Sequence, residues 1–317
     1  MSGLWQSRPE AGGWLSQRLF LALARGLGRR FAMGILWLTS PWFVWSRRPE
    51  REASRAYLGR VLGRAPGIRQ LLKHHYWFSI GILDRVYLLS DGDRDFHFEV
   101  EGLEHLTRAL QAGRGALLFG AHLGSFEALR ALSRRYPQVP LDIVLDKQQT
   151  PVLTELLGRL APELAERIID ASAGGTAVTL AMAERCAQGD MVAILADRGR
   201  QGEAMHAVPF LGRPAAFPVG PWLLAASLKV PVVLCIGLYL GGNRYRLVFE
   251  PVAERVDIPR ARRAEALDAF IRHYAGRLEH FVRLAPYNWF NLYDFWDTSS
   301  LPGSGAAESG VVERGHR

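Results

Sequence analysis

The most constraining feature of the sequence is an apolar run, residues 115–121, that leads into a glycine-rich segment containing a histidine. The run has the length of a buried strand, and Gly120 and Gly124 permit a sharp turn after it. The apolar residues from Phe126 onward have the spacing of one helix face. His122 is therefore predicted at the carboxyl end of a strand, where open α/β sheets place their ligands.

Beyond residue 96, apolar runs of strand length alternate with segments of helical periodicity. This rhythm predicts a single α/β domain with a mixed, largely parallel sheet flanked by helices. N-terminal membrane-associated helices are predicted to precede this domain. The predicted strands are Phe96–Glu101, Gly115–Ala121, Leu141–Leu145, Glu166–Ile169, Met191–Ala196, Val230–Leu240 and Tyr245–Pro251. Helices are predicted over residues 50–64, 66–90 and Ala261–Leu284.

The charge distribution separates an N-terminal segment from this domain. The whole formal charge of +8 lies in residues 1–64, which hold eleven arginines and three glutamates. As a helix, the sixteen uncharged residues between Arg30 and Arg47 would reach roughly 24 Å, short of a hydrocarbon core of about 30 Å. Their tryptophans and the flanking arginines favour a helix lying in the interface of an anionic membrane, with a buried helix pair as the alternative.

The chain is accordingly divided into three parts. Residues 1–48 are predicted to be an amphipathic, membrane-associated segment, residues 49–297 the α/β domain, and residues 298–317 a disordered tail rich in glycine and serine. Because the basic excess is assigned to a membrane surface, no nucleic-acid partner is predicted. Cys186 and Cys235 lie in apolar elements, which favours buried thiols in a reducing compartment over a disulfide or a metal site.

The spacing of His122 and Glu127 permits two interpretations. If His122 ends a strand and a turn follows at Gly124, Glu127 can accept a hydrogen bond from one ring nitrogen and leave the other to act as a general base. Alternatively, His122 is an ordinary residue at a strand end, and Glu127 favours a helix N-terminus or pairs with Arg130. The residues alone do not decide between these interpretations.

A covalent intermediate is disfavoured at this turn. Residues 120–124 have the spacing of a nucleophile elbow, but a histidine stands at the centre, and the chain contains no Gly-x-Ser-x-Gly motif. Direct attack by a bound acceptor is the simpler mechanism.

Several blocks together resemble one known family. Residues 120–127, Gly-Ala-His-Leu-Gly-Ser-Phe-Glu, are similar to the His-x4-Asp/Glu block of the bacterial lipid A late acyltransferases, the lauroyl/myristoyl acyltransferase family of the lysophospholipid acyltransferase superfamily. The resemblance continues, in order and with similar spacing, through residues 142–151, 191–202, 208–216 and 225–233.

The resemblance implies roles for five residues. His122 would be the general base and Glu127 its partner, while Lys147 would meet a phosphate or stabilise the developing oxyanion. Asp197 and Arg198 match the third block as substrate-binding residues, although the family often has a second acid there. The donor would be a fatty acyl thioester on acyl carrier protein or coenzyme A, and the acceptor a lipid or glycolipid. The thioester is a co-substrate, so no cofactor is implied.

The same resemblance implies a place in the cell and a limit on the acceptor. The enzyme would be peripheral or monotopic on the cytoplasmic face of the cell inner membrane. Lipid A enzymes usually carry basic residues after a C-terminal tryptophan, whereas this chain has Asp294 in an aromatic segment, residues 286–296. The acid in place of a base makes a heavily phosphorylated acceptor less favoured. The aromatic ending resembles members associated with aryl-polyene and related pigment pathways, which implies a different lipid headgroup or carrier as the acceptor. At helical spacing the same aromatic residues are also typical of core packing.

Two other functions remain as alternatives. The first is a non-catalytic lipid-binding or pathway-scaffold protein that keeps the acyltransferase fold. The second is a metal-dependent glycosyltransferase that uses Asp91, Asp93 and Asp95, although acidic residues beside a glycine are also typical of a solvated turn.

Overall fold

The fold was analysed in a computed structural model, which describes residues 26, 28–90, 94–111, 113–129, 140–200 and 202–297. Its helices are α1 (Arg29–Ser46), α2 (Arg48–Leu62), α3 (Ile68–Leu88), α4 (Leu103–Gln111), α5 (Pro151–Leu160), α6 (Pro162–Ala165), α7 (Gly175–Ala187), α8 (Gly220–Leu228) and α9 (Arg263–Leu284). Its strands are β1 (His97–Glu101), β2 (Ala116–Gly120), β3 (Leu141–Leu145), β4 (Ile168–Asp170), β5 (Met191–Leu195), β6 (Met205–Phe210), β7 (Arg213–Pro218), β8 (Val232–Gly241) and β9 (Arg244–Ala253).

Seven of the strands form one sheet in the order β1-β9-β8-β2-β5-β3-β4. Only β8 and β9 pair antiparallel, and the other neighbours in this sheet are parallel. The strand β2 lies at the centre and is buried along its whole length, as its continuous apolar sequence requires. The sheet is therefore mixed and largely parallel, as the strand and helix rhythm predicts.

Helices cover both faces of the sheet. Alternate residues of β2 point to opposite sides, so Leu117 and Phe119 join one core, and Ala116 and Leu118 join the other. The first core includes residues of α2, α7, α8 and α9, together with Val44 of α1 and Leu71 of α3. The second core includes other residues of α1 and α3 and residues of α4. Two hydrophobic layers thus fix β2, and with it the segment that follows β2 in the chain.

All seven strands predicted from the sequence are confirmed, with ends that differ by at most two residues. Two strands, β4 and β8, start two residues later than predicted, and at β4 the delay comes from α6 and a turn at residues 166–167. The hairpin of β6 and β7 was not predicted, because Pro209 and Pro214 interrupt its apolar alternation and are paired with each other across the two strands.

The helix α1 lies over α3 and is held there by a buried ion pair. Arg29 donates to Asp84 at 2.6 Å, and Tyr245 donates to the same carboxylate at 2.7 Å. Along α1, the side chains of Phe31, Trp37, Leu38, Trp42 and Trp45 are more than half exposed. Within the described ranges, none of the helices combines the length and apolarity needed to cross a membrane.

Parts of the predicted termini lie outside the described residues. These are residues 1–25 and 27 of the N-terminal segment and the tail from residue 298 onward.

Gly124 fixes the turn after β2 against its neighbour β8. Its backbone has a φ of +75°, and a Cβ atom built on it would lie 1.8 Å from the carbonyl oxygen of Gly237 in β8. The next residue, Ser125, donates its backbone N–H to that same oxygen at 2.7 Å. A residue without a side chain is therefore required for the turn to approach the sheet.

We expect Gly124→Ala to lower the free energy of unfolding by about 2–4 kcal/mol, because it combines a left-handed φ with a backbone clash. Gly276→Ala is a matched control, since a Cβ at this position of α9 meets nothing within 4 Å. That control should stabilise the protein by about 0.5–1 kcal/mol through helix propensity. Urea denaturation measures both values, and equal effects of the two substitutions would contradict the assignment.

Candidate active site

The turn after β2 is held by the sheet on one side and by the C-terminal segment on the other. The carbonyl oxygen of His122 accepts the backbone N–H of Phe290 at 2.9 Å, and the N–H of Gly124 donates to the carbonyl of Asn288 at 2.8 Å. Leu123 and Trp289 form an antiparallel bridge between these two bonds. The backbone of His122 is thus fixed by hydrogen bonds to residues far away in the sequence.

Asp197 lies directly against His122. The strands β2 and β5 are parallel neighbours with Gly120 opposite Leu195, so the residues two positions beyond these partners meet. The Nδ1 atom of His122 is 2.8 Å from Oδ1 of Asp197, and the backbone N–H of His122 donates to Oδ2 at 3.0 Å. Strand register therefore brings together two residues that are 75 positions apart in the sequence.

The surroundings hold the two groups in defined charge states. Burial, with the positive charge of Arg198, lowers the pKa of His122 below its usual value, although Asp197 acts in the opposite sense. Burial also acts to raise the pKa of Asp197, but the charge and hydrogen bonds of His122 outweigh it and hold that pKa below its usual value. At neutral pH a neutral imidazole therefore faces an ionised carboxylate.

The tautomer of His122 follows from this pair. An ionised carboxylate only accepts hydrogen bonds, so Nδ1 of His122 carries the proton and donates it to Asp197. The Nε2 atom is left with a lone pair. Because the His122 side chain is 31% exposed and lines a cleft, a ligand can reach it. This is the arrangement of a general base with an orienting carboxylate.

The contact predicted between Glu127 and His122 is replaced by two others. Glu127 forms an ion pair with Arg85 of α3 at 2.5 Å and accepts the hydroxyl of Ser125 at 3.1 Å. It lies just before a helical stretch at residues 128–129, and its carboxylate is directed to α3 because the positive charge of Arg85 attracts it there. Asp197 takes the position beside Nδ1 that the sequence interpretation gave to Glu127.

Of the other predicted binding residues, Arg198 lines the cleft beside His122 and Lys147 does not. Arg198 lines the same cleft as His122, next to Asp197. Lys147 lies in the turn after β3, where its backbone N–H donates to Asp170 at 3.3 Å. The cleft is lined by the neighbouring Asp146 and not by Lys147 itself. The structure therefore brings His122, Asp197 and Arg198 together and leaves Lys147 at the side.

The C-terminal segment contributes residues that the sequence interpretation did not assign to the site. Trp289 is fully buried, and its indole N–H donates to Oδ2 of Asp197 at 3.4 Å. Asn291 accepts a hydrogen bond from the Nε of Arg198 at 2.5 Å. Buried asparagines in an aromatic segment were a signal for such contacts, because a buried amide requires hydrogen-bond partners.

His122 lies at one part of a large cleft of about 1610 Å³ between α7 and α8. The strand ends of β3 and β5 line it as well, and its lining is more apolar than polar. Its apolar lining includes Val178, Leu180, Ala183, Ile194, Leu224, Leu228 and Val230. A cleft of this size and polarity suits a long hydrocarbon chain whose reactive end lies at His122.

The cysteines and acidic residues concern two other kinds of chemistry, a cysteine nucleophile and a metal-dependent transfer. Both cysteines are free and buried, as predicted, and burial raises the pKa of Cys186 to about 12, so this cleft residue is a thiol and not a thiolate nucleophile. Asp91 and Asp93 of the glycosyltransferase alternative lie outside the described residues. In the part of the chain that is described, no three His, Cys, Asp or Glu side chains are grouped so as to hold a metal ion.

Comparison with known proteins gives one family match. Residues 68–298 match the model of a family described as bacterial lipid A biosynthesis acyltransferase. This range runs from the start of α3 through the C-terminal aromatic segment and contains every site residue described above. No curated protein matches the chain.

We expect Asp197→Asn to lower the pKa of His122 further, because Asp197 is the charge that raises it. Glu127→Gln should leave the pKa of His122 close to that of the parent, because the Glu127 carboxylate is paired with Arg85. NMR titration of the imidazole signals, assigned with a His122→Gln variant, measures both effects. A larger change in Glu127→Gln than in Asp197→Asn would show that Glu127 is the orienting carboxylate.

Proposed function

The chain belongs to the bacterial lipid A biosynthesis acyltransferase family, and we propose that it transfers a fatty acyl chain from an acyl thioester to a hydroxyl group of a lipid or glycolipid acceptor. The observation that carries this proposal is the pair of His122 and Asp197 at a large apolar cleft. The pair supplies a base, and the cleft supplies a place for the acyl chain.

In the proposed reaction, Nε2 of His122 removes the proton of the acceptor hydroxyl as its oxygen attacks the thioester carbonyl. A carbon–oxygen bond forms, and the negative charge moves to the carbonyl oxygen. When this tetrahedral intermediate collapses, the carbon–sulfur bond breaks, and the imidazolium returns the proton to the thiolate. No covalent bond to the protein is needed, so the buried thiols have no part in the reaction.

Asp197 acts on the base and not on the substrate. It fixes the tautomer of His122 and stabilises the imidazolium that forms during attack, while the hydrogen bond from Trp289 helps to hold the carboxylate. Arg198, at the same cleft, is the positive group best placed to stabilise the charge that develops on the carbonyl oxygen. Glu127 supports the site through Arg85, by joining the turn after β2 to α3.

The charges around the cleft support an acidic donor such as acyl carrier protein or coenzyme A. Of the charged residues that line the cleft, four are basic and two are acidic. They are Arg114, Arg198, Arg200 and Lys229 against Asp146 and Glu203. This basic excess along the cleft would attract a negatively charged carrier and increase its rate of association.

For the acceptor, we propose a headgroup less phosphorylated than that of lipid A precursors, as in the pigment-pathway members of the family. Asp294 is exposed, whereas Trp289 and Phe295 of the same segment belong to the hydrophobic core. An exposed acid at this position disfavours an acceptor with several phosphates.

The same function suggests a place at the cytoplasmic face of the inner membrane. Phe31, Leu38, Trp42 and Trp45 are spaced to lie on one face of α1, and all are more than half exposed. Arginines lie at both ends of this helix. An exposed aromatic face between basic ends is typical of a helix that lies in the membrane interface.

Purified protein should transfer acyl groups from an acyl carrier protein thioester to a lipid acceptor, and His122→Ala should lower kcat by about 10²–10⁴-fold, the range of a general base. His206→Ala is a matched control, because His206 also pairs with an aspartate, Asp268 at 2.9 Å, but lies in the hairpin and does not line the cleft. Mass spectrometry of the lipid products measures transfer.

Three outcomes of this experiment would contradict the proposal. Transfer unaffected by His122→Ala would exclude the base. Lipid binding without turnover would favour the scaffold alternative. Product formation that needs a nucleotide sugar and stops in chelator would favour the glycosyltransferase.

We expect simultaneous replacement of Leu38, Trp42 and Trp45 by alanine to weaken binding to vesicles of phosphatidylethanolamine and phosphatidylglycerol by at least about tenfold, because large apolar areas leave the interface. Leu284→Ala is the control, since Leu284 is 57% exposed at the opposite end of the chain, on α9. Vesicle sedimentation measures binding, and equal binding of the triple variant and the parent would rule out docking through α1.

A further inference from the structure

We propose that Asn291 is a positioning residue, which fixes the guanidinium of Arg198 at the cleft and adds no negative charge beside it. This inference rests on the proposed function, because it concerns the group that faces the developing oxyanion. It assigns a role in the reaction to the C-terminal segment, residues 286–291, which is otherwise part of the core.

The first step in the argument is that this segment contacts every part of the site. Phe290 donates to the carbonyl of His122 at 2.9 Å, and Trp289 donates to Asp197 at 3.4 Å. Arg198 donates through Nε to Oδ1 of Asn291 at 2.5 Å and through Nη2 to the carbonyl of Phe290 at 2.8 Å. Three consecutive residues therefore hold the base, its carboxylate and the neighbouring cation.

The second step is that the segment itself is anchored on its other side. Tyr57 of α2 donates to the carbonyl of Pro286 at 2.6 Å, and the side chain of Asn288 accepts the backbone N–H of Tyr239 in β8 at 2.8 Å. The Nε2 atom of His74 in α3 lies 3.0 Å from the carbonyl of Trp289. Contacts to three different elements make the segment a rigid support.

The buried His74 has the tautomer that this anchoring requires. Burial lowers the pKa of His74 to about 3, so its ring is neutral. A carbonyl only accepts, so Nε2 carries the proton, and Nδ1 accepts the hydroxyl of Ser54 at 2.7 Å. The anchor is therefore independent of pH in the range where the base of the site titrates.

The third step concerns charge. Both acceptors named for Arg198, the Asn291 amide and the Phe290 carbonyl, are neutral. By contrast, Arg85 is fixed by the carboxylate of Glu127, and Arg200 by that of Asp146. A carboxylate at position 291 would hold the guanidinium equally well but would oppose its charge. An amide fixes the direction of the guanidinium and adds no negative charge of its own to the cleft.

The effect of that charge is visible at the base. Arg198 is among the groups that lower the pKa of His122, after burial itself. A guanidinium held beside His122 therefore keeps the imidazole neutral before reaction. The same positive charge stabilises an oxyanion that forms next to the base.

Two variants separate positioning from charge. Asn291→Ala removes the acceptor oxygen and frees Arg198, whereas Asn291→Asp keeps an acceptor and adds a negative charge. We expect each variant to lower kcat for transfer from an acyl carrier protein thioester by at least about tenfold, with the KM of the thioester changed less than about threefold. Asn243→Asp is the matched control, because Asn243 donates to the carbonyl of Asp95, at the far edge of the sheet.

The pH profile gives a readout that a merely structural role would not change. Arg198 lowers the pKa of His122, so moving the guanidinium away, or opposing its charge, must raise that pKa. The acid limb of kcat/KM should therefore move to higher pH in both variants and stay in place in Asn243→Asp. Parent-like kcat and pH profile in Asn291→Asp, or a lower kcat with an unchanged profile in Asn291→Ala, would overturn the inference.

Failure of the proposed function is distinguishable from failure of this inference. If the parent shows no transfer that depends on His122, the acyltransferase mechanism is contradicted, and NMR titration of His122 still tests the role of Asn291. A His122 pKa that rises in both variants supports the inference without any turnover, and an unchanged pKa in both rejects it. Thermal unfolding of Asn291→Ala shows whether that variant is folded, and Asn291→Asp keeps the test valid if it is not.

Discussion

The parallel pairing of β2 with β5 is the constraint on which the rest of the site depends. It aligns Gly120 with Leu195, so the second residues beyond both strand ends lie side by side. One of these residues is His122 and the other is Asp197, and the pairing of the central strands keeps them next to each other. The geometry of this pair is thus a direct consequence of sheet register, and the helices on both faces hold the sheet in that register.

The strand register places an ionised carboxylate in the protein interior, because Asp197 is fully buried, and burying such a charge lowers the stability of the fold. A buried carboxylate is tolerated only when its oxygens accept hydrogen bonds. His122 supplies two donors, its backbone N–H and its ring, and Trp289 supplies a third. The stability of this carboxylate and the orientation of the base therefore depend on the same contacts, and the C-terminal segment is needed for both.

The sequence predicts most of the strands well because central strands such as β2, β5 and β8 are apolar runs bounded by polar or glycine residues, and such runs need no tertiary information. It predicts the position of His122 for the same reason. The partner of His122 is different, because it depends on strand order. The strand β5 lies beside β2 although β3 and β4 come between them in the chain, and no spacing rule reveals that neighbour. Asp197 did carry a usable signal, since it follows the end of an apolar strand at the same distance as His122, but Glu127 was favoured because it is close in sequence. The β6–β7 hairpin was missed because its prolines break the alternation that identifies a strand.

Two consecutive residues of α3 connect the site to the helix proposed to dock on the membrane. Asp84 pairs with Arg29 of α1, while Arg85 pairs with Glu127 in the turn that carries His122. Neighbouring helix residues point about 100° apart, so one turn of α3 reaches both elements at once. A displacement of α1 relative to the sheet would have to distort the buried ion pair of Arg29 and Asp84 before it could move the turn that carries His122. A membrane that binds the aromatic face of α1 would consequently hold His122 at a fixed height above the lipid surface. Glu127 therefore has a role in its observed position, although it does not contact the ring of His122. Its ion pair with Arg85 connects the turn that carries His122 to α3.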